Sequence, residues 1–116
     1  MRIHRRLDVW QKSMEFVEQI YKLTSSFPKN EEYGLTGQMK RAAISIPSNI
    51  GEGAARNTKK GFVHFLYVAS GSASEIDTQL ELACRLGYLS DNIKSDLDNE
   101  LEAISKMLSS LIKSQK

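Results

Sequence analysis

A single cysteine, Cys84, leaves no material for an internal disulfide framework. That scarcity suits a reducing compartment, here expected to be the cytoplasm. Two prolines and seven glycines exclude a loop-rich or collagen-like chain. No apolar run approaches the roughly 20 residues that span a bilayer, so no membrane partner is expected. The basic start, Met1 to Arg6, is followed by no continuous apolar core and does not read as a secretory signal. Histidine is scarce too. His4, His64 and Cys84 are scattered, without a Glu-x-x-His or i, i+4 His pair, so no metal is expected. Nucleophilic catalysis needs a base held against a nucleophile, and neither histidine neighbours a serine in an elbow-like turn. No catalytic residue and no cofactor are therefore expected. Gly51-Glu52-Gly53-Ala54-Ala55-Arg56 is glycine-rich, but it follows a helical pattern and lacks the Gly-Lys-Ser/Thr ending of a phosphate loop. It reads as a helix-packing segment. Aromatics are 8% of the chain. Few lie near the basic residues, which speaks against stacking on unpaired bases.

What remains is ordinary globular material, 116 residues with 41% hydrophobic and 26% charged side chains, enough for one domain over residues 1–116. Its periodicity is helical throughout and nowhere alternates with period two. Leu7, Trp10, Met14, Val17 and Tyr21, with Ile20 and Leu23, predict a stripe on a first helix over about 7–26, ended by Phe27-Pro28. Leu35, Met39, Ala42 or Ala43, Ile46 and Ile50 predict a second helix over about 33–55, kinked at Pro47. Asn57 or Thr58 caps a third helix over about 58–86, with Phe62, Phe65, Leu66, Ala69, Ala73, Ile76, Leu80, Ala83 and Leu86 on one face and Gly87 as its stop. Ser90 caps a fourth over about 91–113, with Ile93, Leu97, Leu101, Ile104, Leu108 and Leu111 as its stripe. Short connectors between four amphipathic helices predict an all-α, antiparallel up-down-up-down four-helix bundle.

Charge is informative once divided. Residues 1–60 carry eleven Lys or Arg against six Asp or Glu; residues 61–116 carry five against eight. One basic and one acidic half allow two readings: a face for polyanions, or head-to-tail association between unlike faces of identical copies. The basic residues group as Arg2, Arg5, Arg6 and Lys12 at the first helix start, Lys40 and Arg41 on the second, and Arg56, Lys59 and Lys60 at the connection to the third. In an up-down bundle the first and last of these groups converge on one end, the geometry that phosphate contacts need. A second polar feature is a strip of Arg41, Ser45, Asn49 and Glu52 at steps of four, four and three. Glu75 and Gln79 flank the third helix's stripe beside the small run Ser70 to Ser74, so an Arg41–Glu75 pair across the second and third helices is expected.

The opening Leu7-Asp8-Val9-Trp10-Gln11-Lys12 and the Tyr33–Gly53 segment, with Ser45-Ile46-Pro47-Ser48-Asn49-Ile50-Gly51-Glu52-Gly53 as its most specific part, carry a resemblance. Phe62-x-x-Phe65-Leu66, Gly71-Ser72-x-x-Glu75, Gln79-Leu80 and Gly87-Tyr88-Leu89 extend it. The whole resembles the four-helix bundle family of proteins encoded in intervening sequences of bacterial 23S ribosomal RNA genes, often labelled a ribosomal protein family. Gly51 departs from the more usual alanine. The resemblance implies short antiparallel four-helix bundles assembled as homopentamers in a ring or barrel. It also implies kinship in fold with the accessory variability protein of diversity-generating retroelements, which binds nucleic acid through a basic surface and partners a reverse transcriptase. It brings no enzymatic activity and no catalytic residue. Arg41, Asn49, Glu52 and Glu75 match family positions and are expected to pack the bundle or its subunits.

The sequence thus predicts a non-enzymatic homo-oligomer, a pentamer by resemblance, that binds nucleic acid (structured RNA before DNA) through Arg5, Arg6, Lys12, Arg56, Lys59 and Lys60. A structural or adaptor oligomer whose partner is another protein, with no nucleic-acid binding, stays open beside it.

Overall fold

Helix α1 (Asp8–Thr24) starts with a carboxylate in its first turn, where it favours the positive end of the helix dipole. The computed structural model describes residues 3–116, so Arg2 of the basic cluster lies outside the described residues. A 3-10 turn, Ile3–Arg6, precedes α1, and a second, Lys29–Glu31, follows it. Helices α2 (Leu35–Ala54), α3 (Lys59–Arg85) and α4 (Asp91–Ser114) complete an all-helical chain, with no strand among the described residues.

The ends of these helices have local causes. Thr58 accepts from the Gly61 amide at 3.0 Å and Ser90 from the Ile93 amide at 3.2 Å, each covering an amide that the first turn leaves without a partner. The start of α2 lacks a short capping side chain on Gly34. Glu31 supplies the acceptor instead, taking the Leu35 amide at 3.2 Å while the Tyr88 hydroxyl donates to its other oxygen at 2.8 Å. One carboxylate thereby ties the α1–α2 connection to the α3–α4 connection. That hydrogen bond, ahead of burial, holds the Tyr88 phenol above its ordinary pKa.

At the end of α3, Gly87 takes φ +80°. The Tyr88 amide reaches back to the Ala83 carbonyl (2.9 Å) and the Gly87 amide to Cys84 (3.0 Å). This is the six-to-one and five-to-two pairing that closes a helix through a left-handed residue. Gly87→Ala should cost about 1–2 kcal/mol of unfolding free energy, because a Cβ disfavours that φ although the space around it is open. Urea denaturation checks this, with Gly87→Asn expected to lose less than the alanine variant.

Pro47 lies buried inside α2. The tightest seam joins α2 to α3, where Ser72 meets Ser45 and Gly53 lies against Phe62 and Phe65, so short side chains let the backbones approach. A Cβ on Gly53 would stand 2.8 Å from the Phe65 Cβ and 3.1 Å from the Phe62 carbonyl oxygen. The α1–α4 seam is the slackest. Leu7 to Val9 meet Lys106 to Leu111 at one end of it, and Gln19 to Ser26 meet Ile93 to Leu97 at the other. Between them Gln19 Nε2 donates to Glu100 Oε1 at 2.8 Å. Phe16, Ile20, Met39, Ile46, Ile50, Leu66, Ile76, Leu80, Ile104 and Leu108 form the centre of the core.

The buried line of α1 departs from the one that hydrophobicity predicts. It runs through Val9, Ser13, Phe16, Ile20 and Thr24. Met14 and Tyr21 are 38% and 42% exposed. The sequence stripe is therefore rotated to one flank, because α1 packs into the cleft between α2 and α4. Ser13 and Thr24 sit in the core because their hydroxyls donate to carbonyls of their own helix, Trp10 at 2.9 Å and Ile20 at 2.8 Å. In α4 the buried line ends at Ile112, with Leu111 half-buried, and Ile93 is exposed; Leu86 is likewise exposed at the end of α3.

Candidate nucleic-acid interface

The 3-10 turn before α1 lies on the C-terminal half of α2. The His4 ring meets Trp10 edge-on at 5.3 Å, and a Cβ on Gly51 would lie 3.5 Å from it. The Gln11 side-chain amide donates to the Arg5 carbonyl at 2.9 Å, fixing the turn against α1. Arg5 and Arg6 are thereby carried to the end of the bundle where α2 passes into α3, and both are exposed. The Arg5 guanidinium is 5.8 Å from the Trp10 ring centre.

Lys59 and Lys60 open α3 at that same end, exposed and with no carboxylate within ion-pair reach among the described residues. Arg56 is different. It pairs with Glu52 at 2.7 Å and covers the Phe65 ring at 4.7 Å. Both members of the pair are about half exposed, so the bond orients the guanidinium more than it stabilises the fold. Lys12 is exposed one turn into α1, on a face it shares with Asp8 and Glu15, whose charges offset its own. The turn that carries Arg5 and Arg6 thus lies against the C-terminal half of α2, the end from which Arg56, Lys59 and Lys60 follow, and Lys12 stands on α1 between two carboxylates in sequence spacing. From Gly53 to Ser74 the chain contains no Asp or Glu, so the first four turns of α3 present no repulsive charge to a polyanion.

The polar strip on α2 splits. Asn49 Nδ2 donates to the Ser45 carbonyl (2.7 Å) and hydroxyl (2.8 Å), and Ser72 of α3 donates to that hydroxyl at 2.7 Å. Ser45, Asn49 and Ser72 therefore form a small bonded group across the tight α2–α3 seam. Glu52 belongs with Arg56. The expected Arg41–Glu75 pair is not formed: no ion pair joins them among the described residues, and Glu75 accepts from Gln79, one turn on, at 3.1 Å. The Arg41 guanidinium lies back along its own helix, where a Cβ on Gly37 would be 3.3 Å from it. Interhelical register at this level is held by the serine pair, a shorter connection than two long charged side chains can make.

Two features escaped the sequence reading. An apolar groove of about 540 Å³ runs between α1 and α2, lined by Trp10, Met14, Val17, Ile44 and Pro47 with His4 at its end. It exists because the apolar flank of α1 is turned out of the core. The second is aromatic. Tyr67 is 55% exposed and His64 is exposed beside Phe65 at 5.0 Å, within two turns of Lys60. The spacing Lys60, His64, Tyr67 (four, then three) was the available signal, since it runs down the face opposite the buried stripe. The expectation of few aromatics near the basic end did not single out this exposed pair.

Cys84 stands near the end of α3, against the start of α4. Its thiol donates to Asp91 Oδ1 at 3.2 Å, and that bond, ahead of desolvation, pushes its pKa up. Glu81, Arg85, Lys94 and Asp98 form an ion-paired chain across α3 and α4. Arg85 first, then Lys94, holds the Glu81 carboxyl below its ordinary pKa. No three metal-ligating side chains come together among the described residues, and no helix there is long and apolar enough to cross a membrane.

The architecture defines an all-helical four-helix bundle with a basic end. A family model for the 23S rRNA-intervening sequence protein matches residues 5–110, and the chain belongs to that family. It is similar to the crystal structure of a protein of unknown function from the S23 ribosomal protein family of Bacteroides thetaiotaomicron. The two share 29% identity with a TM-score of 0.83, covering 90% of this chain and 95% of the other. No curated protein matches.

Proposed function

We propose that this chain is a non-enzymatic, self-associating bundle of the cytoplasm that binds nucleic acid, structured RNA above all, through phosphate contacts at its basic end. One observation supports the reading: Lys59 and Lys60 open α3 exposed and unpaired among the described residues, in a stretch without any Asp or Glu from Gly53 to Ser74, and the turn bearing Arg5 and Arg6 lies against the preceding end of α2. Arg56, held by Glu52 and Phe65, contributes an oriented guanidinium, and Lys12 lies at the margin. Phosphate contacts position a duplex without reading its bases. Five copies in a ring, the number the family resemblance implies, turn a weak site into a strong one by avidity.

The test is a titration of labelled structured RNA at 50 and 200 mM salt, with the oligomer mass recorded in the same buffers. For one engaged protomer, four phosphate contacts at about −0.9 each in the logarithmic slope predict about 100-fold weaker binding at the higher salt, and each further protomer that engages steepens the loss. The variant Arg5→Glu/Arg6→Glu/Lys59→Glu/Lys60→Glu should abolish binding and keep the mass. An intact oligomer that binds nothing at 50 mM salt defeats the reading.

The α1–α2 groove favours a second reading, an adaptor or structural oligomer whose partner is another protein. Its exposed Met14 and Ile44 (38% and 40%) are the kind of apolar surface that association covers. Under that reading the charge-reversed variant keeps its partner.

A further inference from the structure

We infer that the first turns of α3 stack unpaired bases, with Tyr67 as the platform and Lys60 on the adjoining phosphate, so that the ligand of the basic end is an unpaired RNA strand, such as a loop within a structured RNA. The inference rests on the nucleic-acid reading above and names the part of the RNA that is bound. Four tyrosines are candidates for an open ring, and their surroundings separate them. Lys40 covers Tyr21 at 4.8 Å. Tyr88 is half-buried and bonded to Glu31. Tyr33 is 92% exposed but follows Glu31 and Glu32 directly, where a phosphate is repelled. Tyr67 alone stands inside the acid-free stretch, and it is 55% exposed.

The other rings near the basic end are already engaged. Arg56 covers Phe65, and Trp10 is half-buried between His4 and the groove. Along α3, His64 lies about 6 Å and Tyr67 about 10 Å beyond Lys60, on one exposed face. One turn further is Gly71, where a Cβ would meet nothing within 4 Å. Gly71 therefore projects no side chain over the face that continues from Tyr67. In a duplex both faces of an interior base are already stacked on its neighbours, so a free ring can take only a base that is unpaired or at an end.

The experiment measures the affinity of the full chain for a 20-nucleotide oligouridine and for a 20-base-pair RNA duplex at 50 mM salt. Wild type, Tyr67→Ala, Tyr67→Phe and Lys59→Glu/Lys60→Glu are compared, each with its oligomer mass. Loss of one stacked base predicts about 10-fold weaker oligouridine binding by Tyr67→Ala, with duplex binding within about twofold. Tyr67→Phe should bind both as wild type does, because the ring and not the hydroxyl carries the contact. The lysine variant should lose both ligands. Equal loss on both RNAs for Tyr67→Ala, or no loss on oligouridine, overturns the stacking inference and leaves the phosphate reading standing. A changed oligomer mass for Tyr67→Ala also overturns it, and makes Tyr67 a contact between copies. Failure of the wild type to bind either RNA overturns both.

Discussion

Phe16→Ala should lower the unfolding free energy by about 3–5 kcal/mol, the largest loss expected of any single truncation in α1. The Phe16 ring is 1% exposed, in the cleft where α1 lies between α2 and α4. Removing it leaves a cavity that the core residues around it can only partly fill. Against a total stability of about 5–15 kcal/mol, a loss of that size brings the chain close to unfolding at room temperature. Met14→Ala is the paired control, because hydrophobicity and spacing name Met14 as a core residue while the structure leaves it 38% exposed. It should cost under about 1 kcal/mol in the isolated bundle, in keeping with the modest surface it loses. Urea denaturation followed by circular dichroism at two protein concentrations measures both. The Phe16→Ala loss should be independent of concentration. A Met14→Ala loss that grows on dilution would locate the α1–α2 groove in the interface between copies. Equal losses at both positions would return the α1 core to the stripe its hydrophobicity predicts.

The second large effect is a change of sign between two glycines. Gly53→Ala should destabilise and Gly71→Ala should stabilise, although both residues lie within helices. Alanine gains up to about 1 kcal/mol over glycine from helix propensity at either site. At Gly71 nothing opposes the gain, since an added Cβ meets no atom within 4 Å. At Gly53 the new methyl would be 2.8 Å from the Phe65 Cβ and 3.1 Å from a backbone oxygen of α3. Neither is the movable end of a flexible side chain, so the two helices must separate. Overpacking of that kind costs about 1–3 kcal/mol, which outweighs the propensity gain at this end of the helix, and Gly53→Val should reach the upper end of the range. Thermal or urea melts of the three variants decide the matter. A stabilised Gly53→Ala would mean that the α2–α3 seam is looser than these distances.

The caps of α3 and α4 and the stop of α3 were legible because they depend on neighbours in sequence, whereas the Glu31 acceptor at the start of α2 was not. Thr58 and Ser90 act within three residues of themselves, and Gly87 answers to its own φ. The family was legible too, from the Ser45–Gly53 segment and its companions. The basic end was legible as a grouping of residues. Its state of charge was not, since Glu52 neutralises part of Arg56 through a rotamer choice that spacing permits without requiring. Arg41 and Glu75 show the converse. Their register suits a pair, yet the shorter Ser45–Ser72 bond holds the seam and each long side chain has a nearer partner or path along its own helix.

By itself the sequence determined that the chain is four helices and how the third and fourth are capped, because these follow from local propensity and from side chains within a turn of each end. Only the tertiary structure decided which side of α1 faces the core. A helix with apolar residues over a broad arc can be buried along more than one line, and the choice belongs to the cleft it enters. Here the cleft between α2 and α4 takes Phe16 and Ile20 together with Ser13 and Thr24, whose hydroxyls are satisfied within their own helix. Met14 and Tyr21 are turned outward as a consequence, and with them comes the groove that copies of this chain, or another protein, can cover. Tyr67 is settled in the same way: its exposure follows from the packing of α3 against α2 and α4, which hides Leu66 and Ala69 and leaves the ring between them outside.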